Sequence, residues 1–129
     1  MLIAGLYAGL GALLILALAV RVMWLRNVHG VGLGSNGHGD LARAIRAHAN
    51  AIEYLPVALL LLVLLAFEQT RPWLLHVFGI VLIVARVLHA IGLSGYGGRS
   101  FGRMLGAGLT VLVTLAMAVL LIVRYAHAA

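Results

Sequence analysis

The sequence predicts an all-α integral membrane protein, a bundle of four spanning helices in a single domain covering residues 1–129. Three observations carry that expectation. Hydrophobic residues make up 64% of the 129 residues and charged residues only 9%, and the mean hydropathy is +1.15. A soluble domain cannot hide that much apolar surface, so lipid must be the solvent. Four apolar stretches fill nearly the whole chain, each reaching the about 20 residues that a spanning helix needs. Between them lie two Gly-rich connections and one short polar turn.

The first span runs from about Leu2 to Leu25 and meets no charge before Arg21. It lacks a basic lead-in and is longer than the apolar centre of a secretion signal, so it reads as a retained helix. Residues 27 to 40 form a loop with glycine at 30, 32, 34, 37 and 39. Asp40 is the expected N-cap of the second helix, its carboxylate accepting orphan N–H groups at the positive helix end. That helix covers about Leu41 to Phe67. At 1.5 Å per residue it is roughly 40 Å long against a hydrocarbon core of about 30 Å, so its first turns, with Arg43 and Arg46, reach the headgroups. Residues 68–71 make a tight turn, and Pro72 opens the third helix at a favoured position. The third helix ends near Leu93, a second Gly-rich loop follows from Ser94 to Ser100, and the fourth helix runs from about Phe101 to Arg124.

Composition excludes several functions. Without cysteine there is no disulfide, thiolate metal site or cysteine nucleophile. The six His are scattered without ligand spacing, so no metal is expected. The formal charge is +6, and all nine basic residues are Arg. They lie at the ends of apolar segments or inside them, which argues for membrane lipids as surroundings and against nucleic acid as a partner. Arg21, Arg26, Arg43, Arg46, Arg86, Arg99 and Arg103 flank the Gly-rich connections, and Arg71 and Arg124 lie at the other end. Positive-inside bias puts the Gly-rich loops in the cytoplasm and both termini outside. Richness in Ala, Gly, Arg, Val and Leu points to a bacterial inner membrane. Tyr7 and Trp73 are expected to mark the outer interface, and Trp24 and Tyr96 the inner one. The pairs Gly5/Gly9 and Gly102/Gly106 permit close helix packing.

Charge and amide inside an apolar span are expensive and mark a functional site by default. Residues advance by about 100° around a helix, so Arg43, Arg46, Asn50, Glu53 and Tyr54 share an arc of about 120° while His48 points nearly opposite. The tight turn makes the second and third helices antiparallel neighbours. Glu53 lies as far from Phe67 as Arg86 lies from Pro72, so these two are expected at one depth and in ion contact. By the same count Asn50 matches His89, and Arg46 matches Leu93. A Glu53–Arg86 pair alone would serve helix packing. The additional Arg46, Asn50 and Tyr54 point to an anionic ligand, because Arg suits bidentate carboxylate recognition.

The segment Arg46-Ala47-His48-Ala49-Asn50-Ala51-Ile52-Glu53-Tyr54-Leu55-Pro56 resembles the signature of the MAPEG family, the membrane-associated proteins of eicosanoid and glutathione metabolism. Ala85-Arg86-Val87-Leu88-His89-Ala90-Ile91-Gly92 is similar to the third helix of its bacterial members. The resemblance implies a homotrimer of four-helix subunits with glutathione as co-substrate in a cytoplasm-facing cleft between subunits. It implies that Arg46, Asn50, Glu53 and Tyr54 bind glutathione from one subunit, with Arg86 and His89 beside them. Arg26 and His48 would reach in from the neighbour. Arg103 corresponds to the thiol-activating Arg, with Arg99 as the alternative. His89 and Leu93 stand at two third-helix positions where eicosanoid-forming members carry Tyr, which departs from that chemistry.

The function expected from the resemblance is a glutathione transferase or peroxidase acting on small hydrophobic electrophiles or lipid hydroperoxides. A non-catalytic binding or structural protein of the same fold is the alternative. A small multidrug-type transporter would carry a buried Glu without attendant Arg, and the cluster around Glu53 argues against it.

Overall fold

The computed structural model describes residues 1–95 and 100–128. Four helices account for most of them: α1 (Leu2–His29), α2 (Gly39–Phe67), α3 (Pro72–Gly95) and α4 (Phe101–Ala128). Each is long and apolar enough to cross a membrane, so the chain is a four-span membrane protein. Both α2 and α3 pack against all three other helices, whereas α1 and α4 lie on opposite flanks and do not meet.

The sequence explains why α2 sits centrally. Its buried positions Ala47, Ala51, Leu55, Ala58, Leu62 and Leu65 recur every three or four residues, the spacing of one helix face. Alanine in the first half lets neighbouring backbones approach where polar groups must be brought together. Leucine fills the wider half nearer the 68–71 turn. Large apolar residues such as Leu2, Leu13, Leu16 and Leu112 face outward, as a lipid solvent permits.

Helix ends at Leu2, Phe67, Pro72 and Phe101 fall where the sequence predicts. At the first Gly-rich connection the helices run further. The end of α1 is His29, not Leu25, because the stop is set by Gly30 at φ 65°, the left-handed cap, whose N–H meets the carbonyls of Arg26 and Asn27. Polarity at Asn27 alone does not end a helix. At the start of α2, His38 is the N-cap and Asp40 lies inside the first turn. The expected Asp40 cap is therefore corrected. Its carboxylate still serves the helix end by accepting the Leu41 N–H at 2.8 Å, and it binds His29 Nε2 at 2.9 Å.

Two further contacts fix the bundle. Tyr7 is 4% exposed and hydrogen-bonds His76 Nδ1 at 2.8 Å, with its ring laid against Gly79 where a Cβ would collide. Tyr7 is thus a packing residue and not an interface marker; Tyr96 lies outside the described residues. At the other flank, Gly106 abuts Ala85 and His89 of α3, while Gly5 and Gly9 face open space. Of the two glycine pairs, the one on α4 is used in packing this bundle.

Candidate functional site

The close α3–α4 contact builds the site. Gly102 and Gly106 let α4 lie on the backbone of α3, and Gly92 receives α4 from the other side. Ser100 then caps α4: its Oγ accepts from the Arg103 N–H at 3.3 Å and donates to the Gly92 carbonyl at 3.0 Å. His89 Nδ1 lies 3.0 Å from the Arg103 carbonyl, so the ring donates through Nδ1. Three contacts therefore hold the first turn of α4, and with it Arg103, against α3.

A cavity of about 260 Å³ opens beside this turn, walled by Arg43, Arg46 and Asn50 of α2, His89 and Leu93 of α3, and Arg103 of α4. Three guanidiniums face one space, with no carboxylate among its described lining residues. Coulomb attraction in such a concave, partly desolvated space favours an anion. Arg43 also reaches α3, its Nε donating to the Ser94 carbonyl at 3.3 Å.

The expected Glu53–Arg86 contact is not formed. Arg86 is 1% exposed, and its Nη2 donates to Asn50 Oδ1 at 2.7 Å. Its guanidinium carbon lies 5.7 Å from the centre of the Tyr54 ring. Among the described residues the ion pairs are His29–Asp40 and Arg124–Glu68. The depth count, which pairs Asn50 with His89, misses the observed contact by about one turn, and it omits azimuth. Measured from buried Ala51, Tyr54, Asn50, Arg46 and Glu53 lie about 60°, 100°, 140° and 160° around the same side of α2. Asn50 is close enough to the α3 side to take the guanidinium, whereas Arg46 and Glu53 lie further round the helix and are exposed.

The structure thus gathers Arg46, Asn50, His89 and Arg103 around one cavity and sets Arg86 and Tyr54 behind it. Glu53 lies with Tyr54 in a groove between α2 and α4. Arg26 and His48 do not line this cavity. Arg26 Nη1 donates to the carbonyls of Val31, Gly32 and Gly34 and so organises the first Gly-rich loop. His48 lies on the α1 side of α2, about 60° beyond Ala51. Arg99 lies outside the described residues. Sequence reasoning did not name Arg43 or Ser100 as site residues. The signals were there: Arg43 sits one turn before Arg46 on the same arc, and Ser100 precedes Arg103 at capping distance.

Comparison with known proteins agrees with this architecture. Residues 4–123 match the model of the MAPEG family. The chain is 38% identical over 90 residues to inner membrane protein YecN of Escherichia coli strain K12, covering 70% of this chain and 69% of that protein. The same protein from E. coli O6:H1 matches to the same extent.

Proposed function

The chain belongs to the MAPEG family, which includes glutathione transferases, and from that membership we propose that it binds glutathione in the arginine-lined cavity. It then uses the thiol against hydrophobic electrophiles, or to reduce lipid hydroperoxides, as a homotrimer in a bacterial inner membrane with the Gly-rich loops in the cytoplasm. The inner-membrane placement takes support from the similarity to YecN.

The observation that carries the proposal is the convergence of Arg43, Arg46 and Arg103 with Asn50 on one concave space. Glutathione brings two carboxylates, and planar guanidiniums are suited to grip them. Arg46, Asn50 and His89 hold the peptide. Glu53 and Tyr54 extend the cleft along the outer edge of α2, where a neighbouring subunit completes it. Arg26 and His48, which face away from their own cavity, serve the neighbour's.

In conjugation the S–H bond breaks and the proton leaves to water in the open cavity. The sulfur keeps the electron pair and forms a bond to carbon, and the leaving group departs with its own bonding pair. Arg103, held at the cavity wall, favours the thiolate over the thiol through its positive charge. The hydrophobic partner arrives from the membrane.

Calorimetric titration of the detergent-purified protein with glutathione, paired with conjugation of a chlorinated nitrobenzene, tests the proposal. Saturable heat and measurable turnover are expected. A wild-type protein that gives neither overturns it.

A further inference from the structure

Two cavities and a groove adjoin one another through shared wall residues. The arginine-lined cavity shares Asn50 and His89 with a more enclosed chamber of about 50 Å³. That chamber shares Tyr54 and Val111 with an almost wholly apolar groove of about 430 Å³ between α2 and α4. The groove includes Val57 and Leu115, both exposed on the outer surface of the bundle at spanning depth. The chamber is therefore the junction between a polar space and a lipid-compatible one.

Arg86 forms part of the chamber wall and is in an unusual state for a buried charge. It is 1% exposed, its Nε has no hydrogen-bond partner among the described residues, and the described ion pairs do not include it. Its contacts are a neutral amide and the face of an aromatic ring. A buried guanidinium with an unused N–H and no ion-pair contact among the described residues is costly unless an anion joins it.

We infer that the chamber receives the sulfur of the thiol co-substrate, with Arg86 as a second cation for the thiolate, and that the electrophile meets the sulfur there by way of the α2–α4 groove. The inference rests on the glutathione reading above and adds the location of the reacting atom. Relative size supports it: at about 50 Å³ against about 260 Å³, the chamber is the smaller space and suits a thiol and its methylene, while the larger cavity suits the rest of the tripeptide. The charged body of the tripeptide stays in the larger cavity, against Arg43 and Arg46. The proton lost from sulfur leaves through that cavity to water. The new S–C bond forms as the bond from carbon to the leaving group breaks, with the electron pair going to the leaving group.

Three variants test this. Ala107 lines the chamber from α4, and Ala107→Leu fills it without touching a charge. Arg86→Met removes the charge at similar volume, and Arg86→Lys returns it. Glutathione affinity by calorimetry should stay near wild type in Ala107→Leu. The ultraviolet absorbance of bound thiolate at neutral pH should disappear in Ala107→Leu and Arg86→Met and return in Arg86→Lys. Conjugation should slow by about tenfold or more where the thiol stays protonated. Should wild type bind and ionise glutathione while Ala107→Leu, or a folded Arg86→Met, does so equally well, this inference is overturned alone. A wild-type protein that binds no glutathione overturns it together with the function proposed above.

Discussion

Asn50→Ala would leave Arg86, which is 1% exposed, without the acceptor it reaches at 2.7 Å. A hydrogen bond to a charged group contributes about 1.5–3 kcal/mol, and stranding a buried charge costs about 3–5 kcal/mol. The Tyr54 ring at 5.7 Å remains, and a cation over an aromatic face retains about 0.5–2 kcal/mol. The expected destabilisation is therefore about 2–3 kcal/mol. Asn50→Asp keeps an acceptor in place and should recover most of that loss while weakening glutathione binding, since it adds negative charge and removes the amide donor. Unfolding of the detergent-purified proteins, followed by circular dichroism, measures the difference. A double-mutant cycle with Arg86→Met isolates the pair, because Met removes the charge that needs an acceptor; a coupling of about 2 kcal/mol is expected. Asn50→Ala as stable as wild type, or strict additivity with Arg86→Met, would show that Arg86 does not depend on Asn50.

The other predictions concern ligand grip, assembly, packing and orientation. Arg46→Ala should weaken glutathione binding by roughly ten- to hundredfold, the equivalent of one charge-assisted hydrogen bond of about 1.5–3 kcal/mol, as read by calorimetry; unchanged affinity would remove Arg46 from the site. If Arg26 serves the neighbour's cleft, Arg26→Ala and Arg46→Ala chains are each impaired alone at low glutathione, but random mixing in one oligomer should restore roughly one site in four; no recovery argues for sites built within single subunits. Gly106→Val should overpack the α3–α4 contact against Ala85 and His89, costing about 1–3 kcal/mol and lowering conjugation more than glutathione binding. A C-terminal reporter active only in the cytoplasm should stay dark, and a bright signal would reverse the orientation.

What the sequence disclosed, and what it hid, divides along physical lines. Helix existence and the ends at Phe67, Pro72 and Phe101 were legible because apolar length and turn residues are local signals. The end of α1 was misplaced because Asn27 looks like a loop residue, while the actual stop at Gly30 depends on a left-handed backbone. Counting from the tight turn brought α2 and α3 into nearly correct depth, and Arg86 did find a partner on the predicted arc. The partner was Asn50 and not Glu53, since a depth count carries no information about which way a side chain faces around the helix. Tyr7 was invisible as a core residue because its slot is made by Gly79 on another helix. Arg26 and His48 are the reverse case: their proposed roles need a second subunit.

The central claim, that a membrane-embedded arginine site binds and ionises glutathione, is most directly tested by recording thiolate absorbance during titration of the detergent-purified protein with glutathione at neutral pH. A thiolate signal that saturates with binding is expected in wild type, and its loss is expected in Arg103→Ala while binding heat persists. A full thiolate signal in Arg103→Ala with loss in Arg99→Ala would move the activator to Arg99. Saturable binding heat with no thiolate in wild type would contradict the catalytic account and leave a binding protein.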